Sequence, residues 1–301
     1  MNILLLGANG QVGWALRRSL SVLGSVTALG RENTAAGCGD LSDAEGIERT
    51  LMQLKPDVIV NAAAYTAVDA AEENQHHAFD INARAPALLA QLAKRLDALL
   101  VHYSTDYVFD GSGSSPWQEE SATGPLNVYG ASKLAGEEAI CASGCRALIL
   151  RTSWVFSTGG GSFISTMMRL IREKSALSVV ADQWGAPTSA ELIADMTAFV
   201  LRSVMVEKAP FPSSILHLTA AGETSWFEYA CFIKQLLEEA GEQPLAKITP
   251  VLTSEYPTPA ARPLNSRLNT ESITALTGLT LPAWQQGVER AVAERLRYGL
   301  R

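Results

Sequence analysis

Residues 2–14 read Asn2-Ile3-Leu4-Leu5-Leu6-Gly7-Ala8-Asn9-Gly10-Gln11-Val12-Gly13-Trp14, an apolar run that leads into three glycines spaced three residues apart. The apolar run is too short and too uniform for a surface helix, and it predicts a strand buried on both faces, as in a parallel sheet. After it, Gly7 turns the chain, and Gly10 leaves room for an anion at the start of a helix that Gln11 and Val12 open. The turn therefore predicts a dinucleotide site, with a merely structural strand-to-helix turn as the alternative.

Composition argues against several classes of partner. The 301 residues carry a net charge of -7 and no basic block, which disfavours nucleic acid and anionic membranes as partners. Met1 leads directly into the first strand, and no apolar run reaches the ~18 residues of a membrane span. We therefore expect a cytoplasmic protein. Cys141 and Cys145 lie one helical turn apart, which could suggest a metal site, but no further His or Cys lies nearby, so the four cysteines are expected to be small buried or idle thiols.

Strand-like runs alternate with helix-like runs over roughly the first 200 residues, which is typical of a doubly wound parallel sheet. After the opening strand, further strands are predicted at residues 25–29, 58–61, 99–103, 148–151 and 215–218. Residues 1–155 are predicted to form a Rossmann-like dinucleotide-binding domain, with returns near 185–220. Residues 156–184 and 221–301 are predicted to form a smaller C-terminal α/β domain that binds the substrate.

Short segments after the second and third strands are candidate cofactor contacts, because ligands gather at the carboxyl ends of such strands. Arg31 stands where a ribose-binding carboxylate is usual and suits a 2′-phosphate, which favours NADP over NAD; a solvated surface arginine is the alternative. Asp40 and Leu41 are predicted to cover the adenine. The segment Ala62-Ala63-Ala64-Tyr65 is predicted to pack against the cofactor near its nicotinamide, although small residues also serve close packing.

The predicted chemistry centres on Tyr129 and Lys133, which lie one helical turn apart and face the same way. A phenol with a pKa of about 10 is a poor acid or base at neutral pH, and a neighbouring ammonium would lower that pKa. Lys133 can also hold the nicotinamide ribose. The fourth strand delivers Thr105 and Asp106 at its carboxyl end, upstream of this pair.

The chain resembles the extended short-chain dehydrogenases/reductases and, within that superfamily, the dTDP-4-dehydrorhamnose reductases. The resemblance runs from Met1 to near the C-terminus and includes residues 7–14, 58–64 and 102–109. Its most specific stretches are residues 127–130, 151–155, 182–188 and 262–266. It implies reduction of the C4 keto group of dTDP-4-dehydrorhamnose to dTDP-L-rhamnose with NADPH, with NADH as an alternative donor. The implied partner is therefore a dTDP-sugar substrate, and a homodimer is left open.

The resemblance also implies roles for individual residues. Tyr129 would be the proton donor, and Lys133 would be its partner and the ribose anchor. Thr105, Asp106 and Trp154 would contact or line the sugar site. Arg262 is a candidate diphosphate contact, with a structural salt bridge as the alternative.

Two departures from related families matter. Sugar-nucleotide dehydratases carry Asp-Glu after the threonine, whereas Asp106 is followed here by Tyr107, so reduction without elimination fits better. Reductases of the enterobacterial type are expected to share a metal between subunits through glutamates. Glu191 and Glu294 match two of these, but the position after the tryptophan of the first helix is Ala15, so we predict no metal.

Two other functions stay open at this point. One is a nucleotide-sugar epimerase or a 4-keto reductase acting on a different nucleotide sugar. The other is a regulatory subunit that keeps the fold and binds NADP without turning it over. Intact Tyr129, Lys133 and Thr105 favour an enzyme.

Overall fold

The computed structural model describes residues 1–207 and 214–299. Positions 208–213, within the predicted return near 185–220, and positions 300–301, at the end of the predicted substrate domain, lie outside the described residues. Within the described part of the chain, no helix combines the length and the apolar character that crossing a bilayer requires.

The described strands form one main parallel sheet and three small two-stranded pairs. They are β1 (Asn2–Leu6), β2 (Ser25–Leu29), β3 (Val58–Asn61), β4 (Leu99–Thr105), β5 (Ala147–Thr152), β6 (Val155–Phe156), β7 (Ala176–Val180), β8 (Trp184–Gly185), β9 (Thr188–Ser189), β10 (Ile215–His217), β11 (Thr224–Ser225) and β12 (Lys247–Val251). The main sheet has the order β10-β5-β4-β3-β1-β2, and all its pairs are parallel. Its strand order reverses between β1 and β3, which is where open α/β sheets bind ligands. The predicted fold class is confirmed.

Helices cover both faces of the main sheet. They are α1 (Gln11–Ser21), α2 (Ala44–Leu54), α3 (Val68–Glu73), α4 (Gln75–Phe79), α5 (Ala85–Leu96), α6 (Val128–Ser143), α7 (Phe163–Glu173), α8 (Ala190–Leu201), α9 (Trp226–Glu239), α10 (Glu271–Thr277) and α11 (Trp284–Tyr298), with π-helical segments at Asp80–Arg84 and Arg202–Val206 and 3-10 turns at Asp106–Val108 and Thr253–Glu255. Helix α6 carries Tyr129 and Lys133. It begins after Asn127, whose side chain accepts the N–H of Gly130, and it ends at Gly144 in the left-handed conformation.

Alternate residues of β1 pack into two separate hydrophobic cores, one on each face of the sheet, as expected for a strand buried on both faces. Leu5 packs with Leu16 of α1 and Ile193 of α8, whereas Leu4 packs with Leu51 of α2 and Leu89 of α5. Each fully buried leucine contributes roughly 1.5–3 kcal/mol to folding. Packing in these two cores fixes the positions of β1, β3 and β4, and so of the carboxyl ends of these strands.

A third core lies away from the main sheet. It packs α7, α9 and α11 together around Tyr229, Ile164 and Val288, all of which are buried. Strands β7 and β12 pair in parallel beside it. These segments belong to the regions predicted to form the substrate domain, whose boundaries remain a prediction.

Candidate active site

In the turn after β1, close backbone packing requires glycine at two of the three glycine positions. Gly7 has a φ of +79°, and a Cβ there would lie 2.5 Å from the backbone nitrogen of Ala63. A Cβ on Gly13 would lie 2.0 Å from the carbonyl oxygen of Gly7, so this glycine lets α1 lie against the turn. By contrast, a Cβ on Gly10 would make only an ordinary contact of 3.4 Å. Packing within the chain therefore does not explain Gly10, which is consistent with a ligand approaching the backbone there.

A cavity of about 300 Å³, which we call the turn cavity, opens over this turn. The predicted cofactor residues that line it are Gly7, Gly10, Arg31, Asp40, Leu41, Ala62, Ala63 and Ala64. The Arg31 side chain is exposed at its rim, and one oxygen of Asp40 accepts hydrogen bonds from the N–H and the hydroxyl of Ser42. The structure thus brings together residues predicted to contact the adenosine and the phosphates of a dinucleotide, and with them Ala62, Ala63 and Ala64, which were predicted to lie near the nicotinamide.

The sequence also predicted Tyr65 as a cofactor contact, but it is not among the residues that line this cavity or the next one. Its ring lies edge-on to His77, with 5.3 Å between the ring centroids. The buried Asn82 accepts from the Tyr65 N–H and donates to its carbonyl, and it also donates to the hydroxyl of Ser132 in α6. Residue 65 therefore helps to tie the loop after β3 to the helix that carries Tyr129.

A second cavity of about 510 Å³, the strand-end cavity, adjoins the turn cavity, because Ala62 and Ala64 line both. Its predicted lining residues are Gln11, Val12, Thr105, Asp106, Tyr129, Lys133 and Trp154. Residues from the first, fourth and fifth strand ends and from α6 therefore face one space. Sequence spacing alone could not show this, because these segments are far apart in the chain.

Tyr129 lies half-buried beside Thr105, and its ring meets that of Tyr107 edge-on at a centroid distance of 5.7 Å. Burial raises the pKa of Tyr129 to about 12, and a hydrogen bond with Thr105 offsets part of this rise. The sequence predicted that Lys133 would lower this pKa. That expectation is not met in this structure, because burial dominates. The phenol is consequently protonated at neutral pH, as a proton donor must be.

Lys133 is buried, and its ammonium group is engaged by β4. Its Nζ donates to the carbonyl oxygen of Tyr103 at 2.6 Å and lies 3.3 Å from Nε2 of His102. Burial lowers the pKa of Lys133 to about 8, with the nearby charge of Glu137 opposing the shift. These contacts hold the end of the Lys133 side chain against β4.

Asp106 is almost fully buried at the end of β4. Its Oδ1 accepts from the hydroxyl of Thr105 at 3.1 Å, while its Oδ2 is buried with no hydrogen-bond partner among the described residues. Burial raises the pKa of Asp106 to about 7, and the nearby side chains of Ser266 and Thr105 oppose this rise. A buried carboxyl with a free oxygen at the cavity is suited to hydrogen-bonding a polar ligand.

Trp154 has the left-handed backbone conformation, with a φ of +48°. Its ring stacks on Trp226 with 3.7 Å between centroids, and both rings line the strand-end cavity. A Cβ on Gly185 would lie 2.7 Å from the Trp154 ring, so that glycine makes room for it. Trp226 was missed by the sequence reasoning, because an aromatic residue at the start of an apolar helix looks like part of the core.

Arg262, the predicted diphosphate contact, is not among the residues that line either cavity. Its guanidinium forms a two-pronged pair with Asp69 of α3, at 2.9 Å from Oδ1 and 2.7 Å from Oδ2. The hydrogen bonds from Arg262 are the main reason that the pKa of Asp69 is lowered. The structure thus favours the salt bridge that the sequence left as the alternative, and a diphosphate role for Arg262 stays a prediction.

Two of the three positions that match the family's shared metal site carry a glutamate. Glu191 and Glu294 line one cavity with Trp14, but Ala15 supplies no carboxylate. Glu294 already accepts hydrogen bonds from Arg290 and from the hydroxyl of Thr158. Within residues 1–207 and 214–299, no group of three or more His, Cys, Asp or Glu side chains could hold a metal ion.

Comparison with known proteins agrees with this geometry. A family model described as the RmlD substrate binding domain matches residues 1–297. Curated relatives named dTDP-4-dehydrorhamnose reductase include those of Shigella flexneri and Escherichia coli (strain K12); each is 48% identical, over 98% of both chains.

Solved structures give the same assignment. A dTDP-4-dehydrorhamnose reductase from Bacillus anthracis, in complex with NADP, aligns with a TM-score of 0.86 and 32% identity over 97% of this chain and 99% of that one. One from Clostridium acetobutylicum aligns with a TM-score of 0.87 and 32% identity over 98% and 100%. The chain therefore belongs to the RmlD substrate-binding family of NAD(P)-dependent oxidoreductases, the dTDP-4-dehydrorhamnose reductases, as its sequence predicted.

Proposed function

We propose that the protein uses NADPH to reduce the C4 keto group of dTDP-4-dehydrorhamnose, giving dTDP-L-rhamnose. The observation that carries the proposal is that Tyr129, Thr105 and Lys133 line one cavity, which adjoins the glycine-turn cavity through Ala62 and Ala64. A cofactor laid from one cavity to the other would place its reactive end beside the phenol.

Bound NADPH would supply the hydride for C4. Tyr129 donates its phenolic proton to the carbonyl oxygen as the new covalent C4–H bond forms. Ketone, hydride and proton together give an alcohol. Thr105 and Asp106 hold the carbonyl and a sugar hydroxyl at the end of β4. Holding the reacting groups in line is the main source of the rate gain.

Reduction without elimination is supported by the residue that follows Asp106. Tyr107 cannot serve as the second carboxyl group that a dehydratase needs, and burial raises its pKa well above the usual range. In the segment 105–107, Asp106 is therefore the one carboxyl group, and no second carboxyl group is present for elimination.

NADPH rather than NADH is favoured by Arg31 at the rim of the turn cavity, where it suits a 2′-phosphate. The NADP complex of the Bacillus anthracis relative supports the same choice. We assign the dTDP-sugar to the strand-end cavity, with Trp154 as its wall. Residues 156–184 and 221–301 remain our proposal for the substrate domain.

The test is to mix the protein with dTDP-4-dehydrorhamnose and either NADPH or NADH, to follow loss of nicotinamide absorbance, and to identify the product by NMR. We expect faster oxidation of NADPH and formation of dTDP-L-rhamnose. An isomerised ketone with NADPH left unoxidised would identify an epimerase. Binding of NADPH without turnover would identify a regulatory subunit, and either result would contradict the proposal.

A further inference from the structure

His102 lies buried in β4, three residues before Thr105, and its ring joins a neighbouring strand to the helix of Tyr129. Its Nδ1 lies 3.0 Å from Nδ2 of Asn61 in β3. Its Nε2 lies 3.3 Å from Nζ of Lys133 in α6. Both ring nitrogens therefore face nitrogen atoms. The directions of the hydrogen bonds from Asn61 through His102 to Lys133 decide which ring nitrogen carries the proton.

The orientation of Asn61 fixes the proton on the imidazole. Its Oδ1 accepts the backbone N–H of Ala63 at 3.2 Å, so its Nδ2 must donate to Nδ1 of His102. A neutral imidazole has one donor and one acceptor nitrogen, which places the proton of His102 on Nε2. This N–H points at Nζ of Lys133. An ammonium has no lone pair to accept it, whereas an amine does.

The other groups around Lys133 are compatible with its amine form. The carbonyl oxygen of Tyr103 accepts from Nζ whether the group is an amine or an ammonium. Glu137, one turn further along α6, favours the charged form, but Arg151 of β5 pairs with that carboxylate at 2.6 Å. Burial lowers the pKa of Lys133 to about 8, and burial also lowers the pKa of His102 well below its usual range, so the ring stays neutral.

We propose that His102 is a positioning residue for Lys133: it fixes the side chain beside β4 and, through an Nε2–H···Nζ hydrogen bond, favours the amine form. The inference rests on the proposed function, in which Tyr129 is left as a phenolate after each reduction. The phenolate then takes a proton from the Lys133 ammonium, breaking one N–H bond and forming one O–H bond. The amine that remains accepts Nε2–H of His102, and a proton taken up from the bulk solution, one for each ketone reduced, restores the ammonium before the next turnover.

The first test reads the tautomer directly and needs no enzyme activity. The chain has four histidines, so ¹⁵N-labelled histidine gives few imidazole signals, and His102→Phe identifies the one of interest. We expect a neutral ring at a pH of about 7, and the His102 proton on Nε2 at a pH of about 9, where Lys133 is an amine. A charged ring at the lower pH, or a proton on Nδ1 at the higher one, would overturn the inference.

The second test is kinetic. His102→Phe is expected to lower kcat by about tenfold, less than the roughly 10²-fold or more that loss of the acid–base group itself costs, with little change in KM for either substrate. Because the amine form loses its donor, the pKa of Lys133 rises, and the alkaline limb of the kcat–pH profile moves to higher pH. His102→Gln should restore part of both, because its amide N–H reaches towards the position of Nε2–H.

His217→Phe is the matched control, since it also removes a buried imidazole from the main sheet, in β10. It should retain the wild-type kcat and alkaline limb. If the wild type fails to turn over, the proposed function fails, while the tautomer still tests the inference. If the wild type turns over and His102→Phe behaves like His217→Phe, the positioning role is wrong. Should His102→Phe fail to fold, judged by thermal denaturation, the tautomer and the Gln variant decide.

Discussion

The rings of Trp154 and Trp226 stack 3.7 Å apart, centroid to centroid, at an interplanar angle of 15°, although 72 positions separate them in the chain. Trp154 follows β5 and Trp226 begins α9, so the stack joins the main sheet to the third core at the strand-end cavity. A flat aromatic wall of this kind suits the apolar face of a sugar ring or a nucleotide base.

We predict that Trp226→Ala raises KM for the nucleotide sugar by about threefold to tenfold, because an aromatic pair is worth about 0.5–1.5 kcal/mol. The turnover number should change less than KM, since the reacting groups lie on β4 and α6. Steady-state kinetics measure both, and Trp226→Phe serves as the control that keeps an aromatic ring. An unaltered KM in the folded Ala variant would remove the stack from the substrate site.

Arg31 should discriminate between the two nicotinamide cofactors. A charged hydrogen bond to a phosphate is worth about 1.5–3 kcal/mol, so Arg31→Ala should raise KM for NADPH by about tenfold or more and leave KM for NADH nearly unchanged. Arg49→Ala is the control, because it removes another exposed arginine, one that pairs only loosely with Glu45 at 3.5 Å. Equal losses for both cofactors would mean that Arg31 does not read the 2′-phosphate.

The ion pair between Arg151 and Glu137 is buried, with side-chain exposures of 3% and 2% and a closest distance of 2.6 Å. Glu137→Ala would leave the guanidinium uncompensated, which costs about 3–5 kcal/mol of unfolding free energy. Chemical denaturation measures the loss. The matched control Glu45→Ala breaks the exposed pair with Arg49, and it should change stability little. Similar losses for the two variants would contradict this account of the buried pair.

Asp106 makes stability depend on pH. Because its pKa is raised to about 7 in the folded protein, the folded state holds a proton that the unfolded state loses near pH 4. Its contribution is therefore complete at low pH, and it is lost as pH rises from about 4 to about 7, by up to about 4 kcal/mol. Denaturation of the wild type and Asp106→Asn across this range measures the difference. Parallel pH dependences for the two proteins would show that Asp106 titrates normally.

Local sequence pattern predicted the six strands of the main sheet, since each apolar run is short and bounded by polar residues, but it did not predict the strands of the three small pairs. The predicted strand at residues 99–103 extends to Thr105, and the one at 148–151 runs from Ala147 to Thr152. Among the glycines, the structure shows that Gly7 and Gly13 are fixed by backbone contacts, whereas Gly10 is not. Local propensity predicts single strands and helices, however. Contacts between these elements determine which residues meet at the site.

The site's long-range partners were beyond sequence reasoning. Arg262 looked free for a diphosphate because nothing in the sequence indicates that Asp69, 193 positions away, pairs with it. His102 looked like one residue of a buried strand, since its importance depends on Asn61 in β3 and Lys133 in α6 lying on either side. Burial likewise reverses the expected pKa shift of Tyr129, and burial is a property of the whole fold.

The most direct measurement of the central claim is the turnover of Tyr129→Phe with NADPH and dTDP-4-dehydrorhamnose, alongside NADPH binding by the same protein. Tyr298→Phe, which alters an exposed tyrosine at the end of α11, is the control. The account predicts that Tyr129→Phe binds NADPH like the wild type and turns over more slowly by roughly 10² or more. Turnover equal to that of Tyr298→Phe would contradict the assignment of Tyr129 as the proton donor.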